Sequence, residues 1–376
     1  LLHCTVARVR QHAKVGILYD ALWDDAFCWS LVLAMGSGST QALTRATLSF
    51  SSTRAHSAHV PGSPPEIRHP AFEQSNSMVL FGDQLVLKAY RRLRRGINPE
   101  IEIGRFLTDQ GRFTNIAALL GALEYRGADD VPVALAVLHA FVPNQGSGWQ
   151  YTIDYLGRAF EAERTRHDAA RALATDAPPT AEAPVEQAAD HPLYLPLART
   201  LGQRTAELHL ALADSAGDPA FDPEPASEAD VSTWIARVNA DIDITWAALD
   251  GAIPQLDDAT ASSARALLGH AEALKARVAS AARQPIAALK IRHHGDYHLG
   301  QVLMSEHDFV IVDFEGEPSR PVAERRVKHS PLRDVAGMIR SFDYAAAVAL
   351  REATAMRDED RVYLQLYAYA WCRAAS

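Results

Sequence analysis

About the first 145 residues hold several strand-forming segments and one well-signalled helix, and helical periods dominate from Trp149 onward; no other feature constrains the fold as much. TLSFSSTR alternates as a half-buried strand does. After the Pro-rich boundary VPGSPPEIRHP, SMVLFG and QLVLKAY flank Gly82-Asp83, a hairpin signal between β-formers. A helix then starts cleanly, with Asn98 as cap, Pro99 at the first position, and Glu100 and Glu102 in the first turn. LEYRG and VALAVLHAFV read as two further strands. YTIDYLGRAFEAE and LARTLGQRTAELHLALA carry helical spacing, separated by a Pro/Ala/acid stretch over 173–192 that reads as a flexible insert. Only the loop RHHGDYHLGQVLM and the β-rich FVIVDFEGEP interrupt the helices. Helical spacing resumes after Ser330-Pro331, at Leu332, Val335, Ala336, Met338, Ile339 and Phe342. This order predicts an α+β architecture in two lobes.

The length of 376 residues suits two lobes, and 48% hydrophobic with 22% charged residues is an ordinary globular balance. A formal net charge of -9 argues against a nucleic-acid binder but not against a nucleotide pocket, which needs only local cations. Cys4, Cys28 and Cys372 form no CxxC pair, so a reducing, cytoplasmic setting is expected. The longest apolar run, Phe27 to Met35, is too short to span a bilayer, and no membrane association is expected. The start at Leu1 and the uncapped helical run VYLQLYAYAWCRAAS lead us to expect a piece of a longer polypeptide.

The chemistry concentrates in His294-Gly295-Asp296, then Gln301, then Asp313-Phe314-Glu315. Phosphoryl transfer needs an acceptor that orients the attacking hydroxyl, and metal ions that neutralise the triphosphate. Asp296 has the position for the first role. Gln301, five residues on, and Asp313, delivered by the FVIV strand, have the positions of Mg²⁺ ligands, and Glu315 is a further candidate on the same face. Lys88 ends the strand QLVLK and can reach phosphates if a helix carboxylate, Glu100 or Glu102, orients it. No GxGxxG precedes it; the polar stretch Glu73-Gln74-Ser75-Asn76-Ser77 stands there as a phosphate-facing loop. Adenine is expected at the strand end near His139 to Phe141. Asp334 either anchors the catalytic loop or complements its helix N-terminus. Trp149, Tyr151, Tyr155, Trp234 and Tyr297 can stack on sugar rings or fill the core. A zinc site from His293, His294, His298 and His307 lacks helical spacing.

These blocks resemble the maltokinase family of aminoglycoside-phosphotransferase-like kinases. The likeness runs through EQSNS, GINPEIEIGRFL, GWQYTIDYL, RTAELHLALA, HHGDYHLGQVL, VDFEGEPSRP and ERRVKHSPLRDVAGMIRSFDYA, from about residue 16 to 376. GILYDALWDDAF is similar to that family's N-terminal cap subdomain. The resemblance implies a protein-kinase-like fold with a cap over 1–62, a β-rich N-lobe over 63–146 and a helical C-lobe over 147–376. It implies ATP- and Mg²⁺-dependent phosphorylation of maltose at its anomeric hydroxyl, feeding α-glucan synthesis. Asp296 would be the base, Gln301, Asp313 and Glu315 the metal ligands, and Lys88 the phosphate lysine with Glu102 its favoured partner. It also implies a possible trehalose synthase partner, covalent or not. Two alternatives stand beside it. One is another small-molecule kinase of the same fold, acting on a different sugar, an aminoglycoside or choline. The basic residues Arg320, Arg325, Arg326, Lys328 and His329 count against a polycationic acceptor. The other is a non-catalytic kinase-like module, against which the intact Lys88, Asp296, Gln301 and Asp313 argue.

Overall fold

A computed structural model of the protein describes residues 4–70, 76–173, 191–215, 217–281, 287–353 and 358–376. The elements run β1 (Thr5–Gln11), β2 (Lys14–Tyr19), α1 (Asp25–Ser37), β3 (Thr40–Leu43), β4 (Ala46–Ser52), α2 (His56–His59), β5 (Ile67–Arg68), β6 (Asn76–Phe81), β7 (Leu85–Tyr90), α3 (Pro99–Gln110), β8 (Leu119–Arg126) and β9 (Pro132–Ala140). They continue α4 (Gly148–Leu173), α5 (Leu195–Leu212), β10 (Glu224–Pro225), α6 (Glu228–Ala252), α7 (Asp258–Leu268), α8 (Ala271–Ala281), β11 (Leu289–Lys290), β12 (Val302–Ser305), β13 (Asp308–Ile311), α9 (Val322–Arg325), α10 (Leu332–Glu352) and α11 (Asp358–Ala375). The chain divides into two compact units, one of 1–214, 292–327 and 331–376, the other of 215–291 and 328–330.

In the larger unit a seven-stranded antiparallel sheet has the order β3-β4-β8-β9-β7-β6-β5, so β3 and β4 are continuous with the later strands. The hairpin signal at Gly82 corresponds to the β6–β7 turn, where Gly82 takes a φ of 55°. Cys28, Leu31, Val32 and Met35 of α1 join Val79, Phe81, Leu85, Leu87, Leu120 and Leu138 in one core. Ile101 of α3 packs with Leu119, Ala122, Ala134 and Val137 in a second. α3 begins as its sequence predicts, with the Asn98 side chain accepting from Glu100 N at 2.8 Å. It lies close on the sheet at Gly104, where a Cβ would come within 3.1 Å of Leu119.

The helices of this unit are held by apolar faces set at helical spacing. Met338, Phe342, Ala345 and Ala349 of α10 are buried, and Phe342, Tyr194 and the fully buried Trp371 of α11 pack ring against ring. Residues 174–190, most of the expected insert, fall outside the described residues. The smaller unit carries α6–α8 and the β10–β11 pair; Ser227 and Asp230 form a capping box, and Trp234 stacks on His329 at 4.2 Å. Among the described residues, no helix is long and apolar enough to cross a membrane.

Candidate active site

Lys88 lies on β7 between β6 and β9, and its ammonium is surrounded by carboxylates. Nζ is 2.9 Å from Glu100 Oε2, 2.6 Å from Asp313 Oδ1 and 2.5 Å from Glu315 Oε1. The helix carboxylate that orients the lysine is therefore Glu100, not Glu102. Residues two apart on a helix face opposite ways, so only one of the pair can meet Lys88. Glu100 is also held by the Tyr90 hydroxyl at 2.5 Å and by His139 Nε2 at 3.1 Å. Burial works against the Glu100 charge, but Lys88 foremost, with His139 and Tyr90, holds the carboxyl well below its usual range. Burial likewise opposes the lysine charge, and Glu100, Asp313 and Glu315 raise its pKa regardless. For Glu315, burial is the largest influence and lifts its pKa despite Lys88, with Glu100 and Asp313 adding to the rise.

Asp313 follows β13 and takes a φ of 67°, a left-handed conformation rarely adopted by residues other than glycine. Gln301 holds this segment twice: its carbonyl accepts from Val312 N at 3.0 Å, and its Nε2 donates to Asp313 Oδ2 at 3.0 Å. The Gln301 side-chain oxygen is thereby left for another partner. Glu100, Asp313 and Glu315 offer oxygens within 4.8 Å of one another, an oxygen-only set suited to a hard divalent cation. Three carboxylates around one ammonium also leave an excess of negative charge that such an ion would relieve.

The loop carrying Asp296 is anchored by Asp334, which also stands in the first turn of α10, so both roles open in the sequence are compatible with its place. Asp334 accepts from His294 N and Gly295 N, each at 2.9 Å, and meets His209 Nε2 at 3.0 Å. Gly295 and Gly316 both have positive φ, and a Cβ on Gly295 would stand 3.4 Å from Gly316 Cα, so the Asp296 loop and the segment after Asp313 touch backbone to backbone. The Asp296 carboxylate is half-buried and receives no hydrogen bond among the described residues. Burial raises the Asp334 pKa, but His209, then His293 and His294, lower it more, and it lies below the ordinary 3.8. Asp334→Asn should destabilise the protein by about 1.5–3 kcal/mol near neutral pH, the range for bonds to a charged acceptor. Because the folded-state pKa is depressed, this loss should be complete above pH 3.8 and shrink as pH falls below that toward the folded value. Urea unfolding of both proteins between pH 7 and pH 3 checks it; a difference that grows on acidification would contradict it.

Asn76, Met78, Val86, Lys88, Val142 and Asp313 are among the residues lining a cleft of about 460 Å³, within the size range of small-molecule sites. Asn76 and Ser77 open β6 instead of standing in a loop; Asn76 Nδ2 donates to Glu315 Oε1 at 3.2 Å, and Ser77 Oγ accepts from Arg91. Gln74 and Ser75 lie outside the described residues. At the β9 end, groups expected to meet adenine are already engaged within the protein. Phe141 N donates to Gln84 O at 2.8 Å and Ala140 N to Ala118 O at 2.9 Å, so neither amide is available to a base. The His139 ring is occupied by Glu100 and the Ala117 carbonyl. Val142, next along the chain, lines the cleft, and its N–H has no hydrogen-bond partner among the described residues. Of the aromatics, Tyr297 is buried against Thr205, Tyr151 stacks on Tyr194, and Tyr155 bonds His191. The histidines do not converge: His294 faces the Val312 carbonyl and His298 accepts from Gly300 N.

With this geometry in view, comparison with solved structures is decisive for the architecture. A glucosamine kinase in complex with glucosamine, ADP and inorganic phosphate superimposes with a TM-score of 0.62 at 24% identity, over 99% of this chain and 75% of that one. The fold is kinase-like. No protein-family model matches the chain. The glucosamine kinase of Streptacidiphilus jiangxiensis is 28% identical over 281 residues, 74% of this chain and 54% of its own length. That of Mycolicibacterium smegmatis is 28% identical over 295 residues, 77% of this chain and 63% of its own. The chain thus spans between half and two thirds of these relatives. Neither carries the maltose or trehalose synthase association of the expected family in its name.

Proposed function

We propose that the chain carries the ATP-dependent phosphorylation of a sugar hydroxyl, with an amino sugar of the glucosamine type as acceptor in place of maltose. The observation that supports it most is the Lys88 cluster, in which Lys88 and Asp313, 225 positions apart, meet on the wall of a nucleotide-sized cleft. The ADP in the related glucosamine kinase structure agrees with a nucleotide there. Lys88, pinned by Glu100, reaches the phosphates, and the Val142 N–H with nearby strand-end carbonyls meets the base. Asp313 and Glu315, with the Gln301 side-chain oxygen, would hold Mg²⁺, which when bound neutralises triphosphate charge. Asp296 orients the acceptor hydroxyl and takes its proton as that oxygen bonds the γ-phosphorus and the bond to ADP breaks.

The relatives' names favour a glucosamine-like acceptor, and the basic residues that counted against a cationic acceptor turn out to be engaged elsewhere. Arg320 pairs with Glu317 and Arg326 with Glu102. Lys328 holds Glu224 at 2.7 Å and two backbone carbonyls of its own unit. Arg325 caps the carbonyls of Glu315, Pro318 and Arg320. The test is ADP release from ATP and Mg²⁺ with glucosamine, glucose, maltose, choline and kanamycin in parallel. Stimulation by glucosamine above the others is the expected result; stimulation by maltose alone would restore the maltokinase assignment.

A further inference from the structure

Glu102, displaced from the role expected of it, has another partner set. Its carboxylate makes a two-bond pair with Arg326, Nε to Oε2 at 2.9 Å and Nη2 to Oε1 at 2.6 Å, and accepts from Arg292 Nη1 at 2.7 Å. Arg292 is 1% exposed and immediately precedes His293-His294-Gly295-Asp296. Arg326 lies just beyond the segment that follows Asp313. One turn of α3 therefore grips two things at once: the cleft lysine through Glu100, and the root of the Asp296 loop through Glu102.

The turn is suited to transmit position. Pro99 and the Asn98 cap fix its start, Ile101 and Ile103 are buried on either side, and Gly104 sits against Leu119. Glu100 and Glu102 are thus carried on one packed turn, so their positions are linked through its backbone. Asp334 grips the Asp296 loop separately, so the loop is held by two carboxylates, and Glu102 is the one that shares a helix turn with the lysine's partner. Bidentate guanidinium–carboxylate pairing gives orientation as well as energy.

We propose that Glu102 is a positioning residue for phosphoryl transfer, fixing the Asp296 loop through Arg292 with Arg326 as brace and tying that loop to the nucleotide cleft through α3. The proposal rests on Asp296 as proton acceptor, but the tie can be read without turnover.

Hydrogen exchange followed by mass spectrometry on the full chain and on Glu102→Gln, each with and without ADP, tests it. Glutamine keeps the volume and removes the charge. Exchange over 292–301 should rise by about fivefold or more in the variant, with α10 and the β6–β7 hairpin unchanged. ADP should slow this loop in the wild type and have no effect on it in the variant, although protecting β7 in both. In turnover, kcat should fall by about tenfold to a hundredfold with KM for ATP nearly constant, because a mispositioned loop harms the reaction more than nucleotide binding. Glu102→Asp should recover part of that loss, which a purely structural role would not require. Loop exchange in Glu102→Gln equal to wild type, with the same response to ADP, would overturn the tie. If Glu102→Gln does not fold, Arg326→Gln, at a partly exposed side chain, is read by the same criteria. A wild type that transfers phosphate to no acceptor would remove the kinase assignment, and the exchange data would still decide the tie.

Discussion

Asp296→Asn should lower turnover by about 10²–10⁴-fold, the usual contribution of a positioned proton acceptor, and leave ADP affinity nearly unchanged. The expectation follows from where the carboxylate stands. Its loop is fixed by Asp334 through two backbone amides and by the Gly295–Gly316 contact, none of which involves the Asp296 side chain. No described residue donates to that carboxylate, so the substitution releases no partner and leaves the fold intact. Asparagine preserves shape and removes basicity, which separates proton transfer from packing. Steady-state kinetics alongside ADP titration checks both halves; turnover within threefold of wild type would remove Asp296 from the reaction.

Lys88→Met should be more damaging to the protein itself. The ammonium is the one cation shared by these three carboxylates while its side chain is only 11% exposed, and removing it leaves Glu100, Asp313 and Glu315 facing one another. Breaking a buried pair by deleting one partner destabilises by about 3–5 kcal/mol, and here three acids lose the same cation. Phosphate binding should be lost with it. A divalent cation should recover part of the stability by mass action, so millimolar Mg²⁺ should raise the variant's Tm more than that of the wild type. Thermal unfolding with Mg²⁺ or EDTA measures this. An equal response of the two proteins would show that the acid cluster does not hold the ion.

Local signals carried the fold far. The Asn98–Pro99 start of α3, the Gly82 hairpin and the strand-to-helix change near Trp149 each correspond to an element, because capping, turn and periodicity act over a few residues. The kinase-like fold was legible in the order of strand-rich and helical segments, and Lys88 meets Asp313 and Glu315 as their order along the chain led us to expect. What escaped was orientation. Glu100 and Glu102 both suit the first helical turn, and nothing local says which faces β7; the presence of Tyr90 and His139, far apart in sequence, decides for Glu100. The Phe141 amide expected to meet adenine is taken by Gln84, because a strand-end register is set by tertiary pairing that no local signal reports. Charge was also misread: the basic run after Asp313 looked like a field against cationic acceptors, yet most of it is paired. Motifs expected to serve phosphoryl transfer say little about the acceptor, which would be set by other surfaces. The maltose expectation came from the resemblance to the maltokinase family, whereas the relatives described above are named glucosamine kinases.

Transfer of the γ-phosphate of ATP to glucosamine, followed by ³¹P NMR with wild-type protein and Asp296→Asn in parallel, tests the central claim most directly. The account predicts a new sugar-phosphate resonance growing with ADP in the wild type and suppressed in the variant. ADP appearing together with free phosphate alone, or a sugar-phosphate signal that forms equally in both proteins, would contradict it.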